Sequence, residues 1–256
     1  MNQKQDYIAV FDSGVGGISV LRALTKVMPA ERYVYFGDSA NAPYGTRTAE
    51  DVRRLTESAV AQLLPLGLKA LVVACNTATA AAIDHLRKLH PQLIVVGVEP
   101  ALKPACRDFP GGTVGVLATP VTLREEKFAH LASLCRRDCT VISLPAPGLA
   151  ELVEQGKADS AEARALLSPL LTPHRGNMDA LVLGCTHYPF AKTVIQELIG
   201  PDTRLYDGAD GTARETRRRL EVADLLQEGN LSIRWENSGD QTMLALSQAL
   251  FEQTQP

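Results

Sequence analysis

Short runs of nearly unbroken apolar residues recur along this chain, and segments with helical periodicity separate them. The runs are "YIAVF", "RYVYF", "KALVVA", "QLIVVGV", "GTVGVLA", "CTVISLP" and "MDALVLG". A strand with one face in water alternates polar and apolar residues, whereas a strand covered on both faces is apolar throughout. Runs this short, divided by amphipathic stretches such as "AEDVRRLTESAVAQLLPL" and "ATAAAIDHLRKL", specify a parallel sheet with helices on both sides. The fold class is α/β.

The pattern runs through twice. Ser13 after "VFD" and Thr119 after "VLA" lie 106 residues apart, and Cys75 and Cys185, each closing an apolar run, lie 110 apart. Two landmarks at nearly one offset indicate an internal duplication, far too long in period for a solenoid. Two similar parallel-sheet α/β halves are expected, facing each other across one site. The segment after "TRLYDGADGTA" reads as helix, strand ("LSIRW") and helix, too little for a third unit. It is expected to pack back on the first half, giving a first domain of residues 1–97 plus 210–256 and a second of 98–209.

With 256 residues, 45% hydrophobic and 21% charged, the chain has enough material for such a pair of cores. A formal net charge of −3 gives no basic field for a nucleic-acid backbone. The densest basic run, Arg217 to Arg219, lies among acids at helical spacing and reads as a solvated helix face. No stretch is long and apolar enough for a membrane span, and "MNQKQDY" has no leader-like apolar core, so the expected location is cytoplasmic. The cysteines, Cys75, Cys106, Cys135, Cys139 and Cys185, are odd in number and contain no CxxC pair. That argues against a disulfide framework and a zinc ribbon. Reduced thiols are expected, with Cys106 packed on a helix and Cys135 and Cys139 structural or at the surface.

In parallel sheets of this kind ligands lie beyond the carboxyl ends of the strands. The polar residues of this chain gather there: Asp12 and Ser13, then Cys75, Asn76 and Thr77, then Thr119, then Cys185, Thr186 and His187. Helix capping would account for Asp, Ser, Asn or Thr at any one of these ends. A buried structural cysteine, however, usually has apolar neighbours, and these two stand beside Asn, Thr and His.

"FDSGVGG", "GDSANAPYG", "VVACNTATA" and "LGCTHYPF" resemble, in order and spacing, the motifs of the glutamate racemases in the aspartate/glutamate racemase superfamily. The resemblance covers nearly the whole chain. It implies two α/β domains with the active site in the cleft between them, and cofactor-independent conversion of L-glutamate to D-glutamate for bacterial peptidoglycan. Racemisation needs a base on one face of Cα and an acid on the other. The resemblance gives those roles to Cys75 and Cys185, assisted by Asp12 and His187. Each thiol is expected at a helix N-terminus, where exposed N–H groups favour a thiolate. Substrate contacts carry over to Asp12, Ser13, Tyr44, Gly45, Asn76, Thr77, Thr186 and His187, with Thr119 added from its strand end. A second-domain acid, usually in a stretch like "FVPLVE", maps to Glu154 in "LAELVEQG". Ala150 and Glu151 depart from that pattern, and both Glu151 and Glu154 have the plainer alternative of an exposed helical carboxylate.

No cofactor is expected, since no lysine stands at a strand end to hold pyridoxal phosphate, and "DSGVGG" lacks the spacing of a dinucleotide loop. No metal is expected either, because Cys75, Cys185 and His187 have no evident fourth companion. The partner is a small molecule, glutamate, with no nucleic acid or membrane, and a homodimer is allowed. Related family members use an N-terminal extension for activation by a cell-wall precursor. Here the first strand starts near residue 7, so no such dependence is expected. Two alternatives stay open: a racemase acting on aspartate, and a non-enzymatic amino-acid-binding regulator, which would not need the second thiol.

Overall fold

The structure is a computed structural model and describes residues 6–253. The segment 1–5, part of the stretch read above as lacking a leader, lies outside the described residues. Five strands form the first sheet: β1 (Tyr7–Asp12), β2 (Arg32–Gly37), β3 (Leu68–Val73), β4 (Ile94–Gly97) and β9 (Ser232–Asn237), in the order β4-β3-β1-β2-β9. Four strands form the second: β5 (Thr113–Ala118), β6 (Thr140–Pro145), β7 (Ala180–Leu183) and β8 (Arg204–Asp207), in the order β6-β5-β7-β8. Every pairing is parallel.

Without β9, the first sheet has its strands in the spatial order second, first, third, fourth. The second sheet has the same order, so β1 corresponds to β5 and β3 to β7. This doubly wound arrangement has its switch point between the first and third strands, where a crevice opens at their carboxyl ends. Asp12 and Cys75 lie at that point of one sheet, Thr119 and Cys185 at that of the other.

The central strands are buried along their length because helices cover both faces. In the first unit α1 (Ile18–Val27), α10 (Ala209–Val222) and α11 (Gln241–Glu252) pack on one side, and α2 (Ala49–Leu63) and α3 (Asn76–Leu89) on the other. In the second, α7 (Leu149–Glu154), α8 (Ala161–Leu171) and α9 (Lys192–Ile199) lie opposite α4 (Leu102–Asp108) and α6 (Glu126–Cys135). The short α5 (Pro120–Arg124) follows β5, with Thr119 as its N-cap and Pro120 in its first turn. The C-terminal segment belongs to the first sheet, since β9 pairs with β2 from Arg32↔Ser232 to Gly37↔Asn237. On α10, Arg218 and Arg219 pair with Glu215 on the outer face. Among the described residues no helix is long and apolar enough to cross a membrane.

The cysteine expectation needs correction. Cys106 of α4 and Cys139, just before β6, form a disulfide with Cα atoms 5.8 Å apart. The pair is brought together by the backbone bonds Gly111 N–H to Asp138 O and Thr140 N–H to Gly112 O, which lay the turn after α4 against the start of β6. Cys75, Cys135 and Cys185 are free and buried.

Candidate active site

Between the two sheets lies a cavity of about 270 Å³, at the small end for ligand pockets. Ser13, Tyr44, Gly45, Cys75, Asn76 and Thr77 line it from the first unit, and Thr119, Glu151, Glu154, Cys185 and His187 from the second. Asp12 and Thr186 do not line it. They lie behind the wall, where the Thr186 hydroxyl donates to Asp12 Oδ2 at 3.0 Å and Gly14 N–H donates to Oδ1 at 2.9 Å. Burial pushes the Asp12 carboxyl up, opposed by the charge of His187 and by these two donors.

Cys75 is the N-cap of α3, and its sulfur accepts from Ala78 N–H at 3.4 Å while the thiol reaches Ser13 Oγ at 3.4 Å. The helix terminus does not win here. Burial, with Asp12 adding to it, pushes the thiol up to about 12, more than the Ser13 and Ala78 bonds recover. At neutral pH Cys75 is a thiol.

Cys185 departs from expectation differently. Its strand leads into a 3₁₀ turn, Tyr188–Ala191, and α9 begins only at Lys192. Pro189 has no N–H to close an α-helical bond to the Cys185 carbonyl, which Tyr188 N–H takes instead at 3.1 Å in a 3₁₀ pattern, so no α-helix starts at the cysteine. A histidine takes the place of the helix dipole: His187 Nδ1 lies 3.7 Å from Cys185 Sγ, and Nε2 lies 2.6 Å from Glu154 Oε1. Burial pulls the imidazole down, but its bonds to Cys185 and Glu154 outweigh this and hold it well above the usual histidine range. An imidazolium therefore stands beside a sulfur that must carry negative charge to act as a base.

Glu154 also accepts from Val15 N–H at 2.7 Å, across the cleft. The second unit explains two glycines of "DSGVGG": a Cβ at Gly14 would strike the Glu154 carboxylate, and one at Gly16 would strike the His187 ring and the Thr186 hydroxyl. Their absent side chains make room for the second unit. Both candidate acids line the cavity, and Glu154 is the one that meets the histidine.

The hydroxyls of Thr77 and Thr119, both on the cavity wall, meet across the units at 3.3 Å, and Thr122 lies 2.9 Å from Thr119. Thr122 was missed in the sequence, as were Asp38, Pro147, Tyr188 and Met243. Only Asp38 and Tyr188, inside the quoted motifs, could have been found there. Among the described residues no cluster of three or more His, Cys, Asp or Glu side chains is arranged to hold a metal ion.

A duplicated α/β scaffold that presents one thiol from each half to a shared cavity defines a class. The family model for Asp/Glu/hydantoin racemases matches residues 16–216, a span that includes both thiols, and the chain belongs to that family. Its relatives narrow the class. The chain is 44% identical to the glutamate racemase of Clostridium perfringens over 250 residues, 96% of each chain. Its fold matches the crystal structure of glutamate racemase from Thermus thermophilus in complex with β-chloro-D-alanine, with a TM-score of 0.81, 36% identity and coverage of 99% and 96%. It also matches the Francisella tularensis glutamate racemase in complex with D-glutamate, with a TM-score of 0.83, 27% identity and coverage of 98% and 95%.

Proposed function

We propose that this chain interconverts L- and D-glutamate without a cofactor, using Cys185 and Cys75 as a base and acid on opposite faces of Cα. The observation that carries this reading is one thiol from each half lining a single cavity, Cys75 as the cap of α3 and Cys185 3.7 Å from the His187 ring. In one direction the Cys185 thiolate takes the Cα proton while Cys75 gives its own to the other face. The reverse direction exchanges the roles. His187 and Glu154 balance charge at Cys185, while the Asp12 carboxylate favours the protonated thiol at Cys75. The family names support glutamate as substrate, with Ser13, Tyr44, Gly45, Asn76, Thr77, Thr119, Thr186 and His187 as its surroundings. Asp12 and Thr186 act from behind the wall. The product would serve peptidoglycan synthesis in the cytoplasm, and domain limits of 1–97 with 210–256, and 98–209, fit the sheet that β9 joins.

The test is racemisation in heavy water without added cofactor. D-Glutamate formed from L-glutamate should carry deuterium at Cα from the first turnover, while the remaining L-glutamate stays mostly protiated. Equal early deuteration of both enantiomers, or substantial activity in Cys75→Ser or Cys185→Ser, overturns the two-thiol reading. Comparable turnover of aspartate, one methylene shorter, overturns the substrate, since a misplacement of about 1 Å costs on the order of 100-fold.

A further inference from the structure

The motif "GDSANAPYG" brings Tyr44 and Gly45 to the cavity wall, but its Asp38 stands outside the proposed chemistry. Asp38 follows β2 and is 3% exposed. Its Oδ2 accepts from the Tyr44 hydroxyl at 2.6 Å, its Oδ1 accepts from the Ser238 hydroxyl at 2.6 Å, and Asn41 Nδ2 lies 3.0 and 3.1 Å from the two oxygens. All of these groups are donors, so the centre requires a group that only accepts. A carboxylate does, and an amide would turn its NH₂ toward a hydroxyl.

Ser238 lies two hundred residues away, in the turn between β9 and α11. Its Oγ also accepts from Ala40 N–H at 3.0 Å, and Asn237 Nδ2 donates to Ser39 Oγ at 3.1 Å. The turn that ties down residues 38–41 continues into α11, which carries Met243 to the cavity wall. The C-terminal segment thus braces the lip formed by residues 42–46. Neither Asp38 nor Ser238 lines the cavity.

We infer that Asp38 and Ser238 are positioning residues that, through Tyr44, hold the cavity lip in its substrate-receiving shape and so set affinity for the amino acid, leaving proton transfer at Cys75 and Cys185 alone. The inference rests on the proposed racemase reading. With the bonds in place the lip is ordered before binding. Without them, ordering it is charged against binding.

The experiment compares Ser238→Ala, Ser238→Thr, Asp38→Asn and Tyr44→Phe with the wild-type chain, measuring kcat and KM for both glutamate enantiomers alongside thermal unfolding. Ser238→Ala and Asp38→Asn should raise KM about tenfold, as expected for losing a hydrogen bond to a charged group, with kcat within about twofold of wild type. Ser238→Thr, which keeps the hydroxyl, should restore KM. Tyr44→Phe, which removes the Tyr44–Asp38 bond directly, should raise KM at least as far as Asp38→Asn, which keeps one acceptor oxygen. A wild-type KM in Ser238→Ala overturns the inference, as does a fall in kcat matching the rise in KM. If Asp38→Asn does not fold, the Ser238 pair decides alone. A wild-type chain inactive on glutamate overturns the racemase reading instead, so the two failures are distinct.

Discussion

Replacing Glu154 by Gln tests the charge arrangement at Cys185 with almost no change in shape. Glu154 Oε1 takes the His187 ring at 2.6 Å and Val15 N–H at 2.7 Å, and the side chains of the histidine and glutamate are 5% and 15% exposed. A glutamine keeps one acceptor oxygen but loses the charge. A hydrogen bond to a charged group contributes about 1.5–3 kcal/mol and a neutral one about 0.5–1.5, so the imidazolium loses about 1–2 kcal/mol of support. Expressed fully in the transition state, that is about a 5- to 30-fold fall in kcat/KM. Because the equilibrium constant between enantiomers is one, kcat/KM must fall equally from either side. The asymmetry of the site then shows in kcat and KM taken separately. Glu154 helps raise the histidine, so its neutralisation lowers it, and the alkaline limb of the kcat/KM profile should move to lower pH. The assay is circular dichroism of each enantiomer across pH. An unchanged rate and alkaline limb in a folded Glu154→Gln variant would refute the assignment of Glu154 to His187.

Three further outcomes are expected. Gly14→Ala pushes a methyl into the Glu154 carboxylate and should reproduce the kinetic loss of Glu154→Gln, with the double variant little worse than either single one in steady-state assays. Lys69→Met strands Glu31, its partner at 2.5 Å with both side chains 1% exposed, and should lower stability by about 3–5 kcal/mol in denaturant titrations. The residual folded fraction should stay active, since this pair lies at the opposite ends of the strands from the cavity. Non-reducing peptide mapping should recover Cys106 joined to Cys139 with the other cysteines alkylated, and breaking a link that spans 33 residues should cost about 3–4 kcal/mol in the chain-entropy model.

What the sequence disclosed was whatever depends on local order. Strands buried on both faces are apolar throughout, so β1, β3, β5 and β7 could be read directly, together with the polar residues at their ends. What escaped depends on contacts between distant segments. Cys106 meets Cys139 only because the turn after α4 lies against β6, and cysteine counting carries no trace of that. Asp38 finds Ser238 only once β9 has joined β2. The end of β7 misled for a local reason: "CTHYP" looks like a strand passing into a helix, but its proline delays the helix, and a histidine supplies the charge that a helix terminus would have given. The glycines of "DSGVGG" imitate an anion loop, while Gly14 and Gly16 give clearance to side chains of the other half and Gly17 to Asp12 and Ala74 of its own.

Two bonds cross the cleft from main chain or hydroxyl to carboxylate: Val15 N–H to Glu154, and the Thr186 hydroxyl to Asp12. Any parting of the halves wide enough to admit a molecule takes a donor from each of two acids, one fully buried and the other mostly so. Each stranded group costs about 1–3 kcal/mol. A substrate that replaced the lost donors would draw the halves shut again, so closing the cleft and filling it draw on one set of bonds.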